Sequence, residues 1–136
     1  MQRTVIVYFP NGSSQKLPDL VRALSRGIQS QGHTADVVDG TKETSKLTAY
    51  KYIAVGTESV SLTGKIPPQV LTYLSNAGMI SGKRCYAFVA KKFISAPRAL
   101  ARLMKGMEGQ GMFLKNSNVL NSATEAEEIG KRLHVE

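Results

Sequence analysis

The sequence predicts an α/β protein: an open sheet of parallel strands with helices on both faces. Three observations predict it. Five short strand-like segments alternate with helix-like segments along 136 residues. The first of them, Thr4 to Phe9, is apolar and β-branched without alternation, as in a strand buried on both faces. Apolar residues make up 42% of the chain, enough for one sizeable core.

Each element has its own signal. After Phe9, Leu17, Leu20, Val21, Leu24 and Ile28 recur at helical spacing, and Gly32 stops that helix. Thr34 to Val38 is a second short strand, closed by Asp39-Gly40. Residues 41 to 49 are polar and suggest at most one helical turn. Tyr52 to Gly56 is a third strand, followed by a loop from Thr57 to Ile66. Pro67 suits the first turn of a helix carrying Val70, Leu71 and Leu74. Cys85 to Ala90 is a fourth strand. A helix from about Pro97 to Glu108 buries Leu100, Leu103, Met104 and Met107, and Gly109 and Gly111 end it. Met112 to Leu114, extending as far as Leu120, makes the fifth strand. Ser122-Ala123-Thr124-Glu125 reads as a capping box opening a last helix with Ala126, Ile129 and Leu133. Right-handed crossovers restrict the topologies to a few. With no internal repeat, linker or low-complexity stretch, a single domain is expected over residues 1–136.

No apolar run approaches the length of a membrane span, and the stretch Val5 to Phe9 is too short for a signal peptide. One cysteine, Cys85, forms no internal disulfide, and a cytoplasmic location is expected. His33 and His134 have no Cys or carboxylate at ligand spacing, so no metal site is expected. Cys85, Met104 and Met107 read as packing residues. No Ser-His-Asp or Cys-His pairing stands out, and no general acid–base pair can be named.

The net charge of +8 is regional. No acid occurs between Glu58 and Glu108, while that interval holds Lys65, Lys83, Arg84, Lys91, Lys92, Arg98, Arg102 and Lys105. Such an interval favours an anionic ligand or partner, or is a solvated basic face.

The turn Asn11-Gly12-Ser13-Ser14 follows the first strand, where sheets of this kind bind ligands. Gly12 lets the backbone bend close to a ligand, the serines bring hydroxyls, and the amides of the next helix favour an anion. Phosphate is the natural guest; an ordinary N-cap at Ser13 or Ser14 is the other reading. The turn matches neither G-x-x-x-x-G-K-[S/T] nor G-x-G-x-x-G, and no acidic pair follows the first strand to make a metal-dependent phosphoacceptor site.

Tyr8-Phe9-Pro10-Asn11-Gly12-Ser13-Ser14-Gln15-Lys16-Leu17 resembles the phosphate-loop segment of flavodoxins, with Asn11 to Ser14 in register with its Thr-Gly-Asn-Thr. Ile53-Ala54-Val55-Gly56-Thr57, then Gly64-Lys65-Ile66-Pro67, and Gly82-Lys83-Arg84-Cys85-Tyr86-Ala87-Phe88-Val89 resemble segments of short-chain flavodoxin domains. The resemblance covers nearly the whole chain. It implies a flavodoxin-like three-layer sandwich, a five-stranded parallel sheet of order 2-1-3-4-5, and FMN as cofactor. It implies that Asn11, Gly12, Ser13 and Ser14 hold the phosphate. The loops after the third and fourth strands, with Thr57, Glu58, Ser59, Gly64, Lys91 and Phe93, would flank the isoalloxazine ring. The protein would act in electron transfer, or as a small flavin-dependent oxidoreductase, with a redox partner protein.

Three features are this chain's own. The loop from Thr57 to Gly64 has no aromatic residue, the chain has no tryptophan, and Phe93 is the only aromatic candidate at the ring. Pro10 removes one amide from the approach to the turn. On the resemblance the acid-free interval would form the rim, which would favour an acidic partner and a raised flavin reduction potential. Two rivals stand beside the flavin reading. One is a flavodoxin-fold protein without flavin that binds an acidic partner or another anionic ligand through residues 59–107. The other is a nucleic-acid or acidic-protein binder, whose association would be salt-sensitive.

Overall fold

A computed structural model describes residues 1–92 and 94–136; Phe93 lies outside the described residues. The elements run β1 (Arg3–Phe9), α1 (Lys16–Gln29), β2 (Thr34–Asp39), β3 (Tyr52–Glu58), α2 (Gln69–Ser75), β4 (Arg84–Ala90), α3 (Ala96–Gly109), β5 (Phe113–Leu120) and α4 (Ala123–Arg132). All strand pairs are parallel, in the order β2-β1-β3-β4-β5. The expected α/β class and strand order are therefore the observed ones.

The continuous apolar runs explain the middle of the sheet. β3 is buried at every residue, and β4 from Cys85 to Ala90. Because side chains alternate across a strand, each central strand feeds two cores. Val5, Val7, Phe9, Ile53, Val55, Cys85, Ala87 and Val89 point to the layer of α2 and α3. Ile6, Tyr52, Ala54, Tyr86, Phe88 and Ala90 point to the layer of α1 and α4. Burial raises the Cys85 thiol to about 12, with a smaller contribution from Glu108, so it packs as an inert core group. α1 and α4 touch through glycines: a Cβ on Gly27 would lie 2.3 Å from the Glu127 carbonyl oxygen, and one on Gly130 would lie 2.5 Å from that of Leu24.

The structure differs from the sequence expectations in detail. Residues 41–49 form no helix; Leu47 is buried there and the Ser45 amide donates to the Tyr73 hydroxyl at 3.3 Å. α2 begins at Gln69 and leaves Leu71 46% exposed. Leu100 and Met104 are only partly buried. β5 reaches Leu120, with a register shift between Cys85 and Tyr86 that leaves Lys115 out of the pairing. The capping box forms, with Ser122 Oγ accepting from the Glu125 amide at 3.2 Å, but Glu125 reaches back to the amide of Asn121, not Ser122.

Candidate functional site

β1 ends at Phe9, and the chain turns through Asn11 to Gln15 before α1 starts at Lys16. The chain order places β2 on one side of β1 and β3 on the other, so the turn stands at the point where the strand order reverses. Gly12 has φ +83°, a conformation L side chains rarely adopt, and a Cβ there would meet nothing within 4 Å. Glycine is required by the backbone path and not by crowding. Asn11, Gly12, Ser13 and Ser14 are all exposed. The amides of Asn11 to Gln15 donate to no acceptor among the described residues. Neither serine is the N-cap; that position is Gln15, with no side-chain cap, and Ser14 Oγ only accepts from the Lys16 amide at 3.3 Å. The turn thus presents unpaired N–H groups and two hydroxyls at a helix start, an arrangement suited to an anion.

Gly12, Ser13 and Ser14 line a cleft of about 510 Å³ together with Tyr8, Arg22, Asp39, Thr41, Lys42 and Gln69. Arg22 is held by Asp19 on its own helix. Asp39 Oδ1 accepts from the Thr41 amide at 2.9 Å and from its hydroxyl at 2.6 Å, which fixes the far wall. Burial, then the Asp39 charge, raises the Tyr8 hydroxyl, with Arg22 opposing, so it stays protonated at neutral pH.

None of Thr57, Glu58, Ser59, Gly64 or Lys91 lines this cleft. Thr57, Glu58 and Ser59 are buried at the C-terminal end of β3. Thr57 Oγ1 donates to the Phe9 carbonyl at 3.0 Å. The Glu58 carboxylate, 2% exposed, pairs with Lys92 Nζ at 2.9 Å. The Ser59 and Ser95 hydroxyls lie 3.2 Å apart and both reach the Ser61 carbonyl. Gly64, at φ +85°, lets the loop close on α3: a Cβ there would lie 2.6 Å from Arg98 Cβ. The loops after β3 and β4 are therefore fastened to each other. Lys91, directly after β4, is exposed, and its amide donates to the Leu120 carbonyl at 2.8 Å.

Three residues that motif reading did not single out stand on α1 and on the loops after β3 and β4. Lys16 Nζ donates to the Lys91 carbonyl at 2.6 Å and to Asn121 Oδ1 at 3.2 Å, tying the start of α1 to the loops after β4 and β5. Leu62 and Ile94, on the loops after β3 and β4, are 72% and 97% exposed. A search for aromatic ring partners passes over both, although each is an aliphatic residue in a largely polar loop. Among the described residues, no group of three or more His, Cys, Asp or Glu could hold a metal, and no helix is long and apolar enough to cross a membrane.

No protein-family model matches the sequence, and no curated protein matches it. The structure, by contrast, has many relatives in shape. Flavodoxin 1 from Bacillus cereus superposes with a TM-score of 0.73 at 14% identity, over 93% of this chain and 94% of that one. A flavodoxin from the domain Archaea gives 0.69 at 18% identity, over 96% and 94%. A short-chain flavodoxin associated with a bacterial microcompartment gives 0.75 at 9% identity, over 96% and 93%. At these identities the likeness is one of fold, and on it the chain is a flavodoxin-like α/β sandwich.

Proposed function

We propose that this protein binds FMN and acts in electron transfer, with the phosphate held by the turn Asn11-Gly12-Ser13-Ser14. The observation that carries the reading is the set of unpaired amides from Asn11 to Gln15, beside two exposed serine hydroxyls, where the strand order reverses. The phosphate end fits. At the ring end, Leu62 and Ile94 are exposed apolar side chains on the two loops, and Lys91 is an exposed cation on the loop after β4. Bound FMN would supply the electron-transfer chemistry. This chain would bind its phosphate, and Lys91, the exposed cation directly after β4, would favour the charge gained on reduction. Lys92 adds little there, because Glu58 already balances it. A partner protein of acidic surface suits the excess positive charge.

The test is a fluorescence titration of the purified protein with FMN. Quenching with micromolar affinity is expected, weakened at least about tenfold when Ser13 and Ser14 become alanine, as the loss of even one hydrogen bond of about 1.5 kcal/mol to a charged group requires. No quenching at tens of micromolar FMN, from a protein with an intact circular dichroism spectrum, removes the flavin and leaves the fold.

A further inference from the structure

The eight cations of the acid-free interval do not share one surface. Lys83 and Arg84 sit at the end of the sheet away from the turn, where Lys83 Nζ donates to the carbonyls of Leu47, Thr48 and Tyr50, and Arg84 to those of Val135 and Glu136. Lys92 pairs with Glu58, and Lys91 is exposed directly after β4. The remaining four, Lys65, Arg98, Arg102 and Lys105, are exposed on α3 and on the segment leading into α2. None has an ion pair among the described residues.

The opposite layer is arranged differently. On α1 and α4, Arg22 pairs with Asp19, Arg26 with Glu127, and Lys131 and Arg132 with Glu128. α2 carries no charged residue at all. The electropositive layer is therefore that of α2 and α3.

Lys65, Arg102 and Lys105 rim an open groove of about 530 Å³, with Ile66, Leu71 and Gly106 in its walls and no carboxylate among its lining residues. Leu71 follows the helical apolar spacing yet remains 46% exposed. It rests on the bare backbone of Gly106, where a Cβ would come 2.4 Å from Leu71 Cδ2. Apolar walls with a cationic rim call for a ligand that is apolar at its centre and anionic around it.

We infer that this groove docks an acidic amphipathic protein segment, with an apolar side chain over Leu71 and Ile66 and carboxylates against Lys65, Arg102 and Lys105. A nucleic-acid backbone would leave the apolar walls uncovered, and a flat bilayer would not enter the groove. The surface defines where an acidic partner of the proposed redox function sits. It stands without the flavin, so the two readings fail separately.

The experiment is an NMR titration of the full ¹⁵N-labelled chain, free of flavin, with a synthetic amphipathic helix-forming peptide of glutamate and leucine. A scrambled peptide of the same composition, a duplex oligonucleotide and phosphatidylserine vesicles serve as comparisons. Shifts are expected on the amides around Lys65, Leu71 and Gly106, with the patterned peptide binding most tightly. Arg102→Glu with Lys105→Glu should weaken it at least about tenfold, the effect of like charges facing each other at a docking surface. Leu71→Ser should weaken it as well, which a merely electrostatic attraction would not show. Shifts located elsewhere, unchanged affinity in either variant, or equal or tighter binding of the scrambled peptide, the oligonucleotide or the vesicles would overturn the inference.

Discussion

Gly27→Ala should destabilise the protein although alanine is the better helix former. The substitution gains about 1 kcal/mol of helix propensity. Against that, the new Cβ would lie 2.3 Å from the Glu127 carbonyl oxygen and 2.8 Å from Gly130 Cα, both backbone atoms that cannot rotate away. The helices must separate by nearly an ångström, and a gap of that size forfeits a quarter to a half of each dispersion contact across it. Overpacking of this kind costs about 1–3 kcal/mol, and the backbone collision places this case at or above the upper end. A net loss of about 2 kcal/mol follows, or about 8 °C in the thermal midpoint for a domain of this size. Gly130→Ala should act similarly, and the double variant should cost less than the sum, because one separation relieves both collisions. Gly109→Ala, at the last residue of α3 and where a Cβ would meet nothing within 4 Å, is the control: with no collision to offset the propensity gain, it should leave the midpoint unchanged or raise it. Thermal unfolding followed by circular dichroism reads all four. If Gly27→Ala and Gly130→Ala both melt with the wild type, α1 and α4 do not approach each other as described, and the seat of the helix that opens at the turn is wrong.

Other expectations concern the core and the mouth. Thr4 Oγ1 is buried and has no hydrogen-bond partner among the described residues, so Thr4→Val should stabilise by about 1 kcal/mol in urea denaturation; a loss would mean that the hydroxyl has a partner. Burial holds the Cys85 thiol at about 12 against 9.0 unfolded, so its contribution is full below pH 9.0 and is lost as pH rises towards 12. Cys85→Ala should therefore lower stability at neutral pH but make it fall less steeply between pH 9.0 and the onset of tyrosine titration at 10.0, by up to about 1.4 kcal/mol per pH unit; equal slopes would show that the thiol is not desolvated. Lys91→Glu should lower the reduction potential of bound FMN by on the order of 40 mV, the equivalent of about 1 kcal/mol for one electron, and spectroelectrochemistry showing no change would place Lys91 away from the flavin.

Legibility followed the range of the forces involved. The central strands were readable because burial on both faces imposes an unbroken apolar run, as in Val5 to Phe9 and Cys85 to Ala90. β5 was harder: as an edge strand paired only with β4 it carries polar residues through Lys115 to Asn118, and only the pairing register shows its full length. Leu71 looked like a core residue because periodicity records spacing and not the width of the neighbouring helix, whose Gly106 lets it lie near the surface. At the turn, only the glycine was legible, because the backbone path at Gly12, with φ +83°, requires it locally. The fastening of the loops by Glu58–Lys92 and Ser59–Ser95 was not, since its partners lie more than 30 residues apart. Lys16 escaped for the same reason, reaching Lys91 and Asn121 across the sheet. The basic interval, continuous in sequence, is divided by the fold between the two ends of the sheet and the α2–α3 layer.

The central claim is that the turn from Asn11 to Ser14 holds the phosphate of FMN. Isothermal titration of the same protein preparation with FMN and with riboflavin, which lacks only the phosphate, tests it most directly. The account predicts that FMN binds at least about a hundredfold more tightly, because two or more charge-assisted hydrogen bonds of about 1.5 kcal/mol each are at stake. Equal affinities would show that the phosphate is not held, and the turn would then have no part in binding a flavin.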